Sequence, residues 1–314
     1  MNKLKSPYFL LILANLIWGG NFVVGRAAAN YLPAFTFSFL RWCIAFIIFL
    51  PFIWRKIKEE RQILMQHRGT LLLMTISGIV GYNTCLYFAL HYTTSINASV
   101  VNSTTPLIIA ILSFLIIKER LNIIQMIGTI LSIIGVLFIL SQGSMQTLFA
   151  FSFNIGDLLV IIAVMSWSFY SVIVKKYAGI IPKYSSFCIT MFIGIILLLP
   201  LSIWELQQPE TTITWTPSLI FILLFVGFFA SIIAFLSWNT AVEQVGASRA
   251  GVFLNLIPVF ASIFAIIFIG ETLTWYQAIG GICVIIGVLV SAKRVKTVKN
   301  KDTLLDKKVR TDSF

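Results

Sequence analysis

The stretch Ala98–Leu137, ASVVNSTTPLIIAILSFLIIKERLNIIQMIGTILSIIGVL, decides how the rest of the chain is read. It carries Pro106, Glu119, Leu121, Gln125, Gly128 and the triplet Gly135, Val136, Leu137. Each returns 152 positions later, as Pro258, Glu271, Leu273, Gln277, Gly280 and Gly287, Val288, Leu289. So many identities in one ungapped register indicate a duplicated unit of about 150 residues. Trp18 and Pro33 are answered by Trp167 and Pro182 at a shift of 149, so a three-residue length change separates the two matched regions.

The surrounding composition says where such a duplication lives. Of 314 residues, 59% are hydrophobic and 11% charged, and mean hydropathy is +0.96; an ordinary soluble domain is about 25% charged. This is the composition of an integral membrane protein. A bilayer core about 30 Å thick asks for about 20 apolar residues per spanning helix. Ten such segments recur, over 8–26, 34–54, 69–91, 96–117, 122–141, 156–176, 184–204, 217–240, 247–269 and 274–292. They are read as helices, because lipid leaves unpaired backbone groups unsatisfied and the alternation of barrel strands is absent. The expected fold is all-α, with five-helix repeats over 8–141 and 156–292 and a polar, Lys-rich tail over 293–314 expected to be disordered. The first apolar run continues without a cleavage site, so the first helix is kept. Cys43, Cys85, Cys188 and Cys283 lie singly inside predicted spans, which indicates neither a disulfide framework nor a metal site.

A net charge of +12 suggests nucleic acid only until its placement is read. Of the 23 basic residues, 21 fall at the termini and in alternate loops: Lys3 and Lys5, the run Arg55 to Arg68, Lys118 and Arg120, Lys175 to Lys183, Arg249, and the tail. Segments 141–155 and 205–216 hold no Lys or Arg. Short cytoplasmic loops retain Lys and Arg, so both termini are placed in the cytoplasm. Five helices per half, an odd number, then make the repeats antiparallel, and inverted repeats set a substrate site near the midplane.

Ten spans in two halves, each closing on Pro, Glu, Leu, Gln and Gly-Val-Leu, resemble the EamA family of the drug/metabolite transporter superfamily. Ile17-Trp18-Gly19-Gly20-Asn21, Leu40-Arg41-Trp42 and Gly156-Asp157-Leu158 add to the resemblance, which covers about residues 8 to 292. It implies secondary transport of a small metabolite, often outward, with amino acids among the substrates of several bacterial branches. The related small multidrug pumps rely on a Glu within the first helix; here the polar residue in that region is Asn15, which lowers the cation-antiport branch.

Candidate site residues follow from depth and spacing. Pro106 and Pro258 fall about ten residues into their spans, where proline removes a backbone hydrogen bond and kinks a helix or frees carbonyls. Beside them Ser99, Asn102 and Ser103 share one face, as do Gly251 and Asn255; both faces are expected to line a cavity, the alternative being a structural kink with packing hydroxyls. Asn15, Trp18 and Phe22 lie on one side of the first helix. Ala163, Trp167 and Tyr170 repeat the arrangement in the sixth, and Ser231, Phe235 and Trp238 in the eighth, with Trp238 near its cytoplasmic end. Aromatics at this spacing are ordinarily packing, and Trp gathers at interfaces, yet an indole N–H well inside a span needs a partner. The third helix adds Tyr82, Asn83 and Tyr87.

Arg41 is the one basic residue clearly within a span rather than at its end, a costly position that calls for a named partner. Asp157 at similar depth, or helix-end carbonyls, would fix it as an outer gate; the other reading is a site for a substrate carboxylate. Glu119 and Glu271 precede new helices and are read as caps rather than proton carriers, and His91 as a surface residue. The sequons at Asn97 and Asn102 lie at or inside a span and are set aside.

The leading expectation is a monomeric carrier in the cytoplasmic membrane that releases a small metabolite, most simply an amino acid, by alternating access. Its partners would be that solute and the lipid bilayer, with no nucleic acid and no cofactor. A lipophilic drug or sugar-type substrate keeps the same fold, and a membrane enzyme or signalling scaffold is the reading of another class. Against an enzyme stand the missing HExxH, GxSxG and mid-span Asp pair.

Overall fold

The computed structural model describes residues 6–28, 31–89, 92, 101–146, 155–208, 213–269 and 273–292. Among these residues every regular element is helical. Among the described residues, eight helical stretches are long and apolar enough to cross a membrane. Large apolar side chains such as Ile47, Phe52 and Phe221 stand bare on the outside, where lipid rather than water suits them.

Helices α1 (Pro7–Ala28), α2 (Ala34–Glu59) and α3 (Arg61–Gln66) open the chain. The next span is composite: α4 (Arg68–Met74), a π-helical segment over Thr75–Gly81, then α5 (Tyr82–Ala89). It is followed by α6 (Thr105–Ile117) and α7 (Ile123–Leu140). The second half runs α8 (Ile155–Lys176), α9 (Lys183–Leu206), α10 (Pro217–Phe225), a second π-helical segment over Val226–Ile233, and α11 (Ala234–Val245). It ends with α12 (Ala247–Val252), a 3-10 turn over Phe253–Asn255, α13 (Leu256–Ile269) and α14 (Trp275–Ala292). The two π-helical segments therefore occupy matching places in the duplicated sequence.

The repeated residues find structural reasons. Gln125 and Gln277 are capping residues: the side-chain oxygen of each accepts the N–H of Asn122 or Thr274 at 3.0 Å, and Asn122 returns a bond to Gln125 N–H at 2.9 Å. These close the orphan donors of a helix start. Gly128, Gly135, Gly280 and Gly287 let α7 and α14 touch backbone to backbone. A Cβ on Gly128 would lie 2.6 Å from the Gly287 carbonyl oxygen, and one on Gly135 2.7 Å from that of Gly280. The helices thus run antiparallel, with each glycine meeting the repeat-mate of the other, the close approach that small residues allow in membranes.

A second antiparallel seam joins α2 and α9. At one end Glu205 accepts hydrogen bonds from the Thr36 backbone N–H at 2.8 Å and hydroxyl at 2.9 Å. At the other, Ser185, which matches Thr36 at the shift of 149, donates its hydroxyl to Glu60.

Two expectations change here. Pro106 and Pro258 do not bend continuous helices. Pro106 stands at the start of α6, after a turn at Ser103 and Thr104, and Pro258 lies in the first turn of α13, after the 3-10 turn. Proline is tolerated where a helix starts because its missing N–H is an orphan there anyway. Carbonyls at the first break are taken up locally: the Thr104 hydroxyl donates to Val101 at 2.6 Å and the Thr105 hydroxyl to Asn102 at 2.5 Å. Glu119 does cap a helix, but not the one that follows it. Its carboxylate accepts the Ala247 N–H of α12, in the other half, at 3.2 Å, while Asn122 caps α7. Gly246, at φ +95°, brings the backbone against that carboxylate.

Candidate substrate site

Rings from both halves meet in one buried cluster. Trp18 of α1 lies 5.4 Å from Trp167 of α8, 5.7 Å from Phe235 and 5.7 Å from Trp238, both of α11, by ring centroids. Trp167 in turn lies 5.3 Å from Tyr170, 5.4 Å from Phe235 and 5.5 Å from Tyr82. Edge-to-face and tilted pairs of this kind are each worth about 0.5–1.5 kcal/mol beyond burial. Trp42 extends the cluster, 5.1 Å from Phe235.

The π-helical segments shape this cluster. A π turn shifts bonding from i−4 to i−5 and is frequent at functional sites. In the second segment, Ala230 offers its carbonyl to the Trp18 indole N–H at 3.2 Å, and Ser231 its hydroxyl to Arg41 Nε at 3.0 Å. In the first, Gly78 leaves a seat for Tyr170: a Cβ there would lie 2.3 Å from that ring. The first helix of each half thus packs its aromatic against the π-helical segment of the other half.

The structure brings Trp18, Tyr82, Trp167, Tyr170 and Trp238 together. Trp238 lies deeper than its expected position near a helix end, because the helix runs on to Val245 and buries it completely. Tyr82 donates its hydroxyl to Asn102 at 3.4 Å, linking the third span to the break before α6. Asn15 and Asn83 are buried and donate to carbonyls four residues earlier in the chain, Leu11 at 2.7 Å and Ile79 of the π-helical segment at 3.1 Å. Asn255 is not directed at the rings by its hydrogen bond; it donates to Ser132 of α7 at 2.8 Å. Ser103 is buried. Ser99, His91 and Glu271 lie outside the described residues, as does the side chain of Tyr87.

Arg41 is buried against the Trp42 ring, 5.1 Å from its centroid, with Ser231 as hydrogen-bond partner. Asp157 opens α8, wholly buried. Two indole N–H groups, on Trp42 and Trp238, and the Asn15 carboxamide oxygen are buried without hydrogen-bond partners.

A cavity of about 500 Å³ opens at the end of the molecule that carries the basic loops, lined by Lys56, Glu60, Tyr177, Lys183, Phe187 and Asn239 among others. Lys183 pairs there with Glu243, which also presents its backbone carbonyl to Lys175 at 2.6 Å. At its inner end Asn239 and Tyr170 bond reciprocally, Tyr170 donating at 3.0 Å and Asn239 at 2.8 Å.

The sequence pattern of the EamA-like transporter family matches residues 5–141 and 154–292. The chain belongs to this family. It is 26% identical over 297 residues to the uncharacterized transporter YyaM of Bacillus subtilis, covering 95% of this chain and 97% of that one. YetK of the same organism, also an uncharacterized transporter, is 27% identical, with 94% and 89% covered. An uncharacterized transporter of Archaeoglobus fulgidus is 28% identical, with 92% and 99% covered. One crystallised protein with 19% sequence identity shares the fold at a TM-score of 0.76, over 91% of this chain and 97% of its own. The EamA chain described here is therefore a multi-pass membrane transporter and not an enzyme.

Sequence reading missed Asn239 and both π-helical segments. Nothing in hydropathy separates a π turn from an α turn. Asn239 sits one residue from Trp238 on a face that only the fold turns towards Tyr170.

Proposed function

We propose that this EamA protein is a ten-span secondary carrier of the cytoplasmic membrane, with both termini inside. It moves a small metabolite, most simply an amino acid or a close relative, outward by alternating access between two inverted halves, and works as a monomer. The observation that carries this reading is the ring cluster: its members come from both halves, with Trp18 and Trp167 near the middle of α1 and α8, beside π-helical turns and broken helices. Such departures from regular α-helix within membrane spans fit a region buried in protein or facing a water-filled path. The antiparallel glycine contact of α7 with α14, in which repeat-mates exchange partners, supports the inverted arrangement.

Counterflow of labelled amino acids in liposomes, run beside labelled sugars and a cationic dye, tests it. Exchange of an amino acid but of neither other class is expected. Well-folded protein that exchanges no solute would overturn the reading.

A further inference from the structure

The barrier between the cavity and the ring cluster is one residue thick. Asn239 and Phe187 line the cavity and are themselves 4% and 2% exposed. Behind Asn239 lies Tyr170, which packs on Trp167; behind Phe187 lies Phe235, with ring centroids 5.9 Å apart. On the Asn239 side, a ligand passing from the cavity to the rings meets the Asn239 carboxamide before Tyr170.

That carboxamide is a neutral group holding a neutral group. The Tyr170 oxygen sits within hydrogen-bond reach of both of its polar atoms, so a ligand head with a donor and an acceptor can replace it bond for bond. A head with only one kind of group leaves a buried polar atom unpaired, the costly outcome. Of the charged groups near the path, Lys183 pairs with Glu243, Glu60 accepts from Ser185, Lys56 lies over the Tyr184 ring, and Arg41 donates to Ser231 beside the Trp42 ring. The cavity lining holds two basic and two acidic groups, Lys56, Lys183, Glu60 and Glu243, so an ion of one sign finds no net counter-charge there. Beyond the barrier, the Trp238 indole N–H and the Asn15 carboxamide oxygen form an unmatched donor and acceptor, both fully buried.

We propose that Asn239 reads the substrate: a ligand loading from the cavity takes the Asn239 carboxamide over from Tyr170. The class admitted is a small molecule of no net charge that carries both a donor and an acceptor beside an apolar or aromatic body. This rests on the transport reading above.

The test is tryptophan fluorescence of purified full-length protein titrated with three probes built on one phenyl ring and a fourth, bulkier cation. L-phenylalanine has donor and acceptor with no net charge. Phenylacetate is the anion alone, phenethylamine the cation alone, and tetraphenylphosphonium a cation without a donor. Saturable binding of L-phenylalanine is expected, at least about tenfold tighter than the other three, as the loss of one buried hydrogen bond implies. Asn239→Ala should weaken it at least about tenfold. Tyr170→Phe frees the carboxamide while keeping the ring and should bind at least as tightly as the parent; if Asn239→Ala fails to fold, this arm decides, and weaker binding overturns the proposal. Equal binding by Asn239→Ala, equal binding of a singly charged probe, or no binding of any probe would also overturn it. A parent that exchanges amino acids in counterflow while Asn239→Ala binds unchanged leaves transport standing and removes Asn239 from it.

Discussion

Trp18 donates its indole N–H to the Ala230 carbonyl across 3.2 Å, tying the first helix to a π-helical turn 212 residues further along the chain. That bond secures one edge of the ring cluster. Trp18→Phe keeps an aromatic ring among Trp167, Phe235 and Trp238 but strands the buried carbonyl. The expected loss is about 1–3 kcal/mol, read as a lower melting temperature in detergent. An unchanged melting temperature would mean that the contact contributes nothing.

The glycine seam makes a sharper claim. Gly128→Ala places a methyl group 2.6 Å from Gly287 O and from Ser291 N, which are backbone atoms that cannot turn aside. Overpacking of this kind costs about 1–3 kcal/mol. Gly287→Ala meets the same contact from the other side, so Gly128→Ala and Gly287→Ala combined should cost less than their sum. Gly69→Ala is the control: nothing lies within 4 Å of the added atom, and its effect should stay within about 0.5 kcal/mol. Strict additivity of the double variant would argue against a shared contact.

Much of this was legible in the sequence and part was not. The repeat identified by Pro106 and Pro258 located the breaks before α6 and in the span of α12 and α13, but not their form, because a proline is compatible with both a kink and a helix start. Trp18 and Trp167 could be placed at depth by counting along a span. Their joint contact with Phe235 and Trp238 could not, since it depends on packing between halves. Glu119 shows the limit most plainly. Its type and position indicated a cap, yet the nearest helix in sequence already had Asn122, and the helix it serves begins 128 residues away.

Glu119 also predicts a pH dependence. Burial pushes its carboxyl above the ordinary value of 4.5, against the lowering pull of the Ala247 and Ser248 N–H groups and of Lys175 and Arg249. A carboxyl with a raised folded-state pKa holds its proton better in the folded than in the unfolded chain, so stability falls as pH rises from 4.5 through the raised value. Glu119→Gln keeps an acceptor for Ala247 and removes the titration. Melting temperatures measured from pH 4.5 to 8 should therefore decline less for Glu119→Gln than for the parent. Glu119→Leu should lose about 1 kcal/mol through the missing cap. Parallel pH curves for parent and Glu119→Gln would contradict the assignment.

Arg41 is buried with its Nε on Ser231, and one substitution tests whether it serves transport or folding. Arg41→Gln should abolish counterflow while the protein still inserts, as judged by membrane yield. Ser231→Ala leaves the guanidinium in place but removes a hydrogen-bond partner, at about 1–3 kcal/mol. Full counterflow activity in Arg41→Gln would assign the arginine to stability alone.

Gly78 and Tyr170 give the most selective test of the π-helical turn. A Cβ at position 78 would meet the Tyr170 ring at 2.3 Å, and that ring is held in place by Asn239 on its hydroxyl and by Trp167 on its face. The ring cannot yield without giving up one of these, so Gly78→Ala should cost about 1–3 kcal/mol by overpacking. In a Tyr170→Ala background the obstruction is gone and the same methyl group enters the space the ring has left. There Gly78→Ala should be neutral or mildly stabilising, although Tyr170→Ala itself is damaging. The coupling between the two sites, about 0.5–3 kcal/mol, is read from four melting curves: parent, each single variant and the double. A Gly78→Ala penalty that persists at full size without the ring would place its cause in the π-helical backbone rather than in the seat for Tyr170.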